Sequence, residues 1–131
     1  MNKDLRRKVL NVVRQQFRLD WQGIHGVPHW ARVRWNGLAL AQVNGARAAD
    51  FTLRLNSEPL RLDRAGLAML GYAIRHHSDG LIEADVTVQT CWDADRLDLG
   101  RVGIIPRPDR LCTEEARDPV LFERAYRRSV R

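Results

Sequence analysis

The sequence predicts a single all-α domain, and three observations predict it. Apolar residues recur at three- and four-residue steps along most of the chain, the spacing that gives a helix one buried face. Start and stop signals bracket those segments: Pro28, Asp63 and Asp118-Pro119 at the starts, Asn44-Gly45 and Ser78-Asp79-Gly80 at the ends. Only Val86-Thr87-Val88 has a strand-like composition, and it is too short to seed a sheet. A length of 131 residues suits one domain, spanning 1–131, with one real core.

The elements follow in order. Leu5, Val9, Val12, Val13 and Phe17 mark the buried face of a basic first helix over 3–18. Gly23 and Gly26 break the chain, and Pro28 fits the first turn of a second helix. Trp30, Val33, Gly37, Leu38 and Ala41 share one face of it, and Asn44-Gly45 stops it. A short third helix is expected over 46–55 with Phe51 and Leu55 inward, followed by an Asn56-Ser57-Glu58-Pro59 loop. Asp63 can cap a fourth helix that carries Leu67, Leu70 and Ile74 and reaches His76. A fifth is expected from about 85 to 99, with Gly100 as its stop, then a loop over 103–110. Asp118-Pro119 opens a final helix over about 119–130. The chain shows no repeat and no low-complexity linker.

Composition excludes several classes. Hydrophobic content is 44% and charged content 29%, ordinary for a soluble globule. No apolar run approaches the ~20 residues that span a bilayer. The charged start, Met1 to Lys8, leads into no long apolar stretch, so no signal peptide and no membrane partner are expected, and the expected location is the cytoplasm. Cys91 and Cys112 then read as free thiols in a reducing compartment.

Net charge is +6, and it is local. Eight basic residues before position 37 (Lys3, Arg6, Arg7, Lys8, Arg14, Arg18, Arg32, Arg34) face only Asp4 and Asp20. That excess suits either a solvated helix face or a nucleic acid or other polyanion, with Trp21, Trp30 and Trp35 nearby; Trp30 and Trp35 also read as core. Arg124, Arg127, Arg128 and Arg131 suit the C-terminal end of a helix.

Asp95 is the most telling candidate for chemistry. It shares a helical stripe with Val88, Cys91, Trp92 and Leu99, where a carboxylate must be paired, protonated or bound to a cation. A salt bridge and a metal site are equally good explanations. Asp93 and Asp98 fall on other faces and read as solvent-facing or capping acids. His76-His77 closes an apolar helix, which suits either capping or a metal or phosphate site. His25 and His29 are separated by Gly26 and Pro28 and cannot form a His-Glu-x-x-His pair. Phosphate-binding glycine loops, zinc-finger spacings and nucleophile-elbow serines are absent from the sequence.

Three of these segments together resemble the HD-domain family of metal-dependent phosphohydrolases. His25-Gly26-Val27-Pro28-His29-Trp30-Ala31-Arg32-Val33 resembles the family's opening His segment. Cys91-Trp92-Asp93-Ala94-Asp95-Arg96-Leu97-Asp98 resembles its closing Ala-Asp-x-Leu motif and is the most specific of the three. His76-His77-Ser78-Asp79-Gly80 resembles the paired-His segment of two-metal members. The likeness covers about 21–112. It implies an HD-type helical bundle that holds one or two divalent cations (Mn, Fe, Ni, Co, Mg or Zn) and hydrolyses phosphate esters of nucleotides or small molecules. On it, His29 and Asp95 would be metal ligands, His76 and His77 candidates for a second metal or the substrate, and Arg32, Arg75 and Arg96 phosphate contacts.

The departure matters equally. The family carries an adjacent His-Asp on a central helix, and this sequence has no His-Asp anywhere. Gly45-Ala46-Arg47-Ala48-Ala49 resembles the stretch that follows that helix in relatives, so one core helix is expected to be absent. A real deletion and an omitted segment both explain this, and an intact-mass measurement that returned 15.1 kDa would exclude the omission. Three readings stay open: a phosphohydrolase, active or inactive in this form; a non-catalytic module that binds nucleic acid or another polyanion; and a degenerate HD homodimerisation scaffold.

Overall fold

The computed structural model describes residues 3–46 and 63–131. The protein is all-helical, and no strand occurs among the described residues. Among the described residues six α-helices follow in order: α1 (Lys3–Gln16), α2 (Val27–Asn44), α3 (Arg64–His76), α4 (Val86–Arg96), α5 (Glu114–Arg117) and α6 (Pro119–Ser129). Two 3₁₀ turns, Leu99–Val102 and Pro108–Arg110, lie between α4 and α5. The helix expected over 46–55, with Phe51 and Leu55, and the loop after it lie outside the described residues except for Ala46.

Local chemistry sets the helix ends. Asp63, Asp85, Thr113 and Asp118 each accept a backbone N–H of the first turn of α3, α4, α5 and α6. Pro28 and Pro119 sit in the first turns of α2 and α6, where no N–H is needed. Gly45 ends α2 at φ +70°, a left-handed conformation that glycine adopts without strain. Val86-Thr87-Val88 is the first turn of α4, so its strand-like composition yields to the Asp85 cap.

α2 and α4 pack along each other at the centre, with α6 against α2 and α3 against α4. One apolar cluster joins Leu40, Leu97, Leu111, Ala116 and Ala125. A second joins Ala73, Val88 and Trp92. Fully burying a side chain such as Leu40 or Leu97 contributes about 1.5–3 kcal/mol. Polar ties fix the register. Trp92 Nε1 donates to Ala73 O (3.0 Å), and Asn36 donates to Ala94 O (3.1 Å) while accepting from Arg128 (2.9 Å).

The structure corrects several expectations. Val12 is 53% exposed, so the expected inward stripe of α1 does not hold at that position. Leu67 and Ile74 are exposed because α3 carries two apolar stripes. The core takes Met69 and Ala73, and Ile74 lies one residue, about 100°, beyond. Trp35 is 65% exposed rather than core, since the buried face of α2 runs through Asn36 and Leu40. α4 stops at Arg96, and Gly100 is no terminator. Gly100 is buried inside the following 3₁₀ turn against Ser129 and Val130, and the left-handed residue is Gly103 at φ +77°.

Candidate functional site

The first turn of α2 and the end of α4 meet at a cleft. Aromatic packing braces the approach to α2: the rings of Phe17, Trp21 and Trp30 meet edge to face with centroids 5.0–6.0 Å apart. Val27 N–H donates to Trp21 O (2.9 Å), and a Cβ on Gly26 would collide with that carbonyl. His29 and Arg32 therefore leave α2 from a fixed start.

Asp95 and Asp98 leave the opposite side. Asp98 N–H donates to Asp95 O (2.9 Å), an i to i+3 bond that tightens the end of α4. In 3₁₀ geometry residues three apart eclipse, so both carboxylates face His29. That tightening corrects the expectation of a solvent-facing Asp98, which is fully buried. Asp93 is fully buried as well. It accepts from Cys112 N (2.7 Å), Thr113 N (2.8 Å) and Thr113 Oγ1 (2.8 Å), and this contact holds the loop before α5 on α4. Asp95, the residue expected on the apolar stripe, instead keeps 31% of its side chain exposed.

Asp98 organises the site. His29 Nδ1 lies 2.7 Å from its Oδ2, and Arg32 forks onto it at 2.5 and 3.2 Å. Burial alone would raise the Asp98 pKa. The hydrogen bonds and charges of His29 and Arg32 outweigh burial and hold it below the ordinary carboxylate value. The short contact fits a proton on His29 Nδ1 donated to the ionised Asp98 carboxylate, an assignment made from the hydrogen-bond network. Nε2 stands 3.4 Å from Asp95 Oδ1. Arg101 Nη1 donates to Asp98 O (2.9 Å), and its Nη2 stands 3.9 Å from Asp95 Oδ1.

The cleft outside these groups holds about 560 Å³ and is lined by His25, His29, His77, Asp95, Arg96 and Arg101, among others. The fold thus brings together His29, Asp95 and His77 of the sequence candidates. His77 Nδ1 is tied to Ile74 O (2.7 Å). His76 turns away to Asp79 (2.6 Å) and the ring of Tyr72. Arg32 is engaged by Asp98, and Arg75 is exposed on α3 outside the cleft lining. Arg96 lines the cleft but donates to Leu81 O (2.6 Å), Arg110 O (2.8 Å) and Cys112 Sγ (3.2 Å). Asp98 and Arg101 are the residues that sequence reasoning missed. The three-residue spacing of Asp98 from Asp95 is the signal that could have found the first, and Arg101 offered none.

Other features carry less. Burial pushes the Cys91 thiol up, and burial with the Asp93 charge pushes Cys112 up to about 12, which disfavours the nucleophilic thiolate at both. In the basic N-terminal third, Arg7 pairs with Asp4 (3.1 Å) and Arg14 lies over the Trp21 ring. Among the described residues no group of three or more His, Cys, Asp or Glu is disposed to hold a metal ion, and no helix is long and apolar enough to cross a membrane. The chain matches no protein-family model, no curated protein and no solved structure.

Proposed function

We propose that the chain is an HD-type divalent-metal phosphohydrolase domain whose His29–Asp95 cleft takes a phosphate ester of a nucleotide or small molecule. The observation that carries this reading is the setting of His29. One ring nitrogen rests on the buried carboxylate of Asp98 and the other faces Asp95 across 3.4 Å. Metal-binding histidines commonly have this arrangement, in which a carboxylate behind the ring fixes the tautomer and raises basicity.

The donor set fits a cation held by two protein groups, His29 Nε2 and Asp95 Oδ1, with water and substrate oxygens completing its shell. One nitrogen and one carboxylate oxygen, with no thiolate, suit Mn, Fe, Co, Ni, Mg or Zn. A bound cation would supply an acidified water and a polarised phosphoryl oxygen. The chain's own contribution is positional. Asp98 and Arg32 hold the His29 ring, and the cationic lining draws in an anion. Without the His-Asp pair the site has fewer than the three or four protein ligands of a tight centre, so metal binding is weak and turnover slow or nil.

Phosphate release from nucleoside monophosphates and small phosphate esters, assayed with Mn²⁺, Co²⁺ or Ni²⁺, tests the reading. Metal-dependent release that disappears in His29→Gln and Asp95→Asn supports it. No release and no metal binding by the native protein would overturn it. A second reading, an HD-type dimerisation scaffold, draws on the exposed Trp35, Val43, Leu67 and Ile74. Light scattering that gives a monomer removes it.

A further inference from the structure

Arg101 is the cation in the cleft whose bonding the fold leaves incomplete. Its side chain is only 10% exposed, yet its one hydrogen bond among the described residues is from Nη1 to Asp98 O. Its Nε is buried with no hydrogen-bond partner there. Its contacts with the two carboxylates are long, 3.8 Å to Asp98 and 3.9 Å to Asp95. Arg32 has already taken the Asp98 carboxylate with a two-pronged grip. A buried guanidinium has five N–H donors in a fixed plane, and leaving most of them unmet is costly.

The surroundings say what would meet the guanidinium's outer N–H groups. Arg101 lines the His29–Asp95 cleft on one side. On the other it lines a hollow of about 400 Å³ that, among the described residues, contains Arg32 and Arg131 and no acidic side chain. Among the described residues that line the cleft Asp95 is the one acid, facing Arg96, Arg101 and three histidines. That balance favours a dianion, and a planar fork matches two oxygens of a phosphate.

We propose that Arg101 is the phosphate-binding residue of the cleft, taking two oxygens of a phosphate monoester in place of its long contact with Asp95. The proposal deepens the reading of the cleft as a phosphate-ester site and rests on it. The arginines expected from the sequence do not compete. Arg32 and Arg96 are held by protein acceptors, and Arg75 lies outside the lining.

Calorimetric titration of the metal-free protein with inorganic phosphate and, separately, with adenosine monophosphate tests it. Arg101→Gln should weaken both by about tenfold to a hundredfold, the loss expected for charge-assisted hydrogen bonds. Arg101→Lys, which keeps charge but not the fork, should recover part of that, and Arg127→Gln on the exposed face of α6 should change nothing. Tighter binding of the monophosphate than of free phosphate identifies an ester ligand. Equal binding identifies phosphate alone, and that restricts the ligand to the anion. If Arg101→Gln does not fold, Arg101→Lys carries the test. Affinities within twofold of the native protein in a folded Arg101 variant, or no binding of either probe by the native protein, would overturn the proposal. Mn²⁺ titrated alone separates this from the metal reading, since Arg101→Gln should leave it intact. Arg101-dependent phosphate binding without any Mn²⁺ binding would sink the metal reading and spare this one.

Discussion

Asp93 and Asp98 are two fully buried carboxylates five residues apart, and they are solved in opposite ways. Asp93 is caged by neutral donors, two backbone N–H groups and a hydroxyl from Cys112 and Thr113. The cage is internal and pins the loop before α5 to α4. Asp98 is met by ionisable side chains, His29 and Arg32, on the wall of a cleft. A carboxylate satisfied by backbone holds architecture, whereas one satisfied by a histidine and arginines sets the state of groups that can still meet a ligand.

The comparison can be broken at either end. Asp93→Ala carries the largest expected effect on stability. It strands three donors, two of them buried, and a loss of about 3 kcal/mol is expected in urea denaturation. Asp98→Asn should cost somewhat less, about 2–3 kcal/mol, because Arg32 and His29 can turn toward solvent. The two differ more sharply in ligand binding, where Asp98→Asn should lower Mn²⁺ affinity about tenfold to a hundredfold by releasing His29.

Acid sharpens the same contrast. The Asp98 pKa is depressed in the folded protein, so its contribution to stability is complete above the ordinary carboxylate value of about 4 and is lost as pH falls through the depressed value. The native protein should lose stability faster than Asp98→Asn below about pH 4 in a pH series of denaturation curves. Gly100→Ala comes next, at about 1–2 kcal/mol, since a Cβ there meets Ser129 Oγ and lies 2.9 Å from Val130 Cγ1. Asp95→Asn should be smallest in stability, under ~1 kcal/mol, because the side chain is partly exposed and its partners are distant.

What the sequence made legible follows from the range of each interaction. Helix starts were readable because Asp63, Pro28 and Asp118-Pro119 act on their own first turns. The structure places His29 and Asp95 3.4 Å apart, a proximity between distant helices that neither helix's own period contains. The role of Asp93 was not readable, because its partners lie nineteen and twenty residues away in a loop. Asp98 was misjudged by extending the α-helical period past Arg96, where the chain tightens to 3₁₀ and turns that carboxylate inward. Arg101 carried no motif, and its position follows only from that same tightened turn. On α3 the apolar spacing allowed two faces, and the packing of Ala73 against Trp92 chose between them.

On the proposed reading, His29 and Asp95 form a cation site that Asp98 prepares. Mn²⁺ titration followed by electron paramagnetic resonance tests it most directly. The account predicts one weak site in the native protein, lost in His29→Gln and Asp95→Asn and weakened in Asp98→Asn, with all three variants folded. Mn²⁺ affinity unchanged by Asp95→Asn, or no bound Mn²⁺ in the native protein, would contradict it.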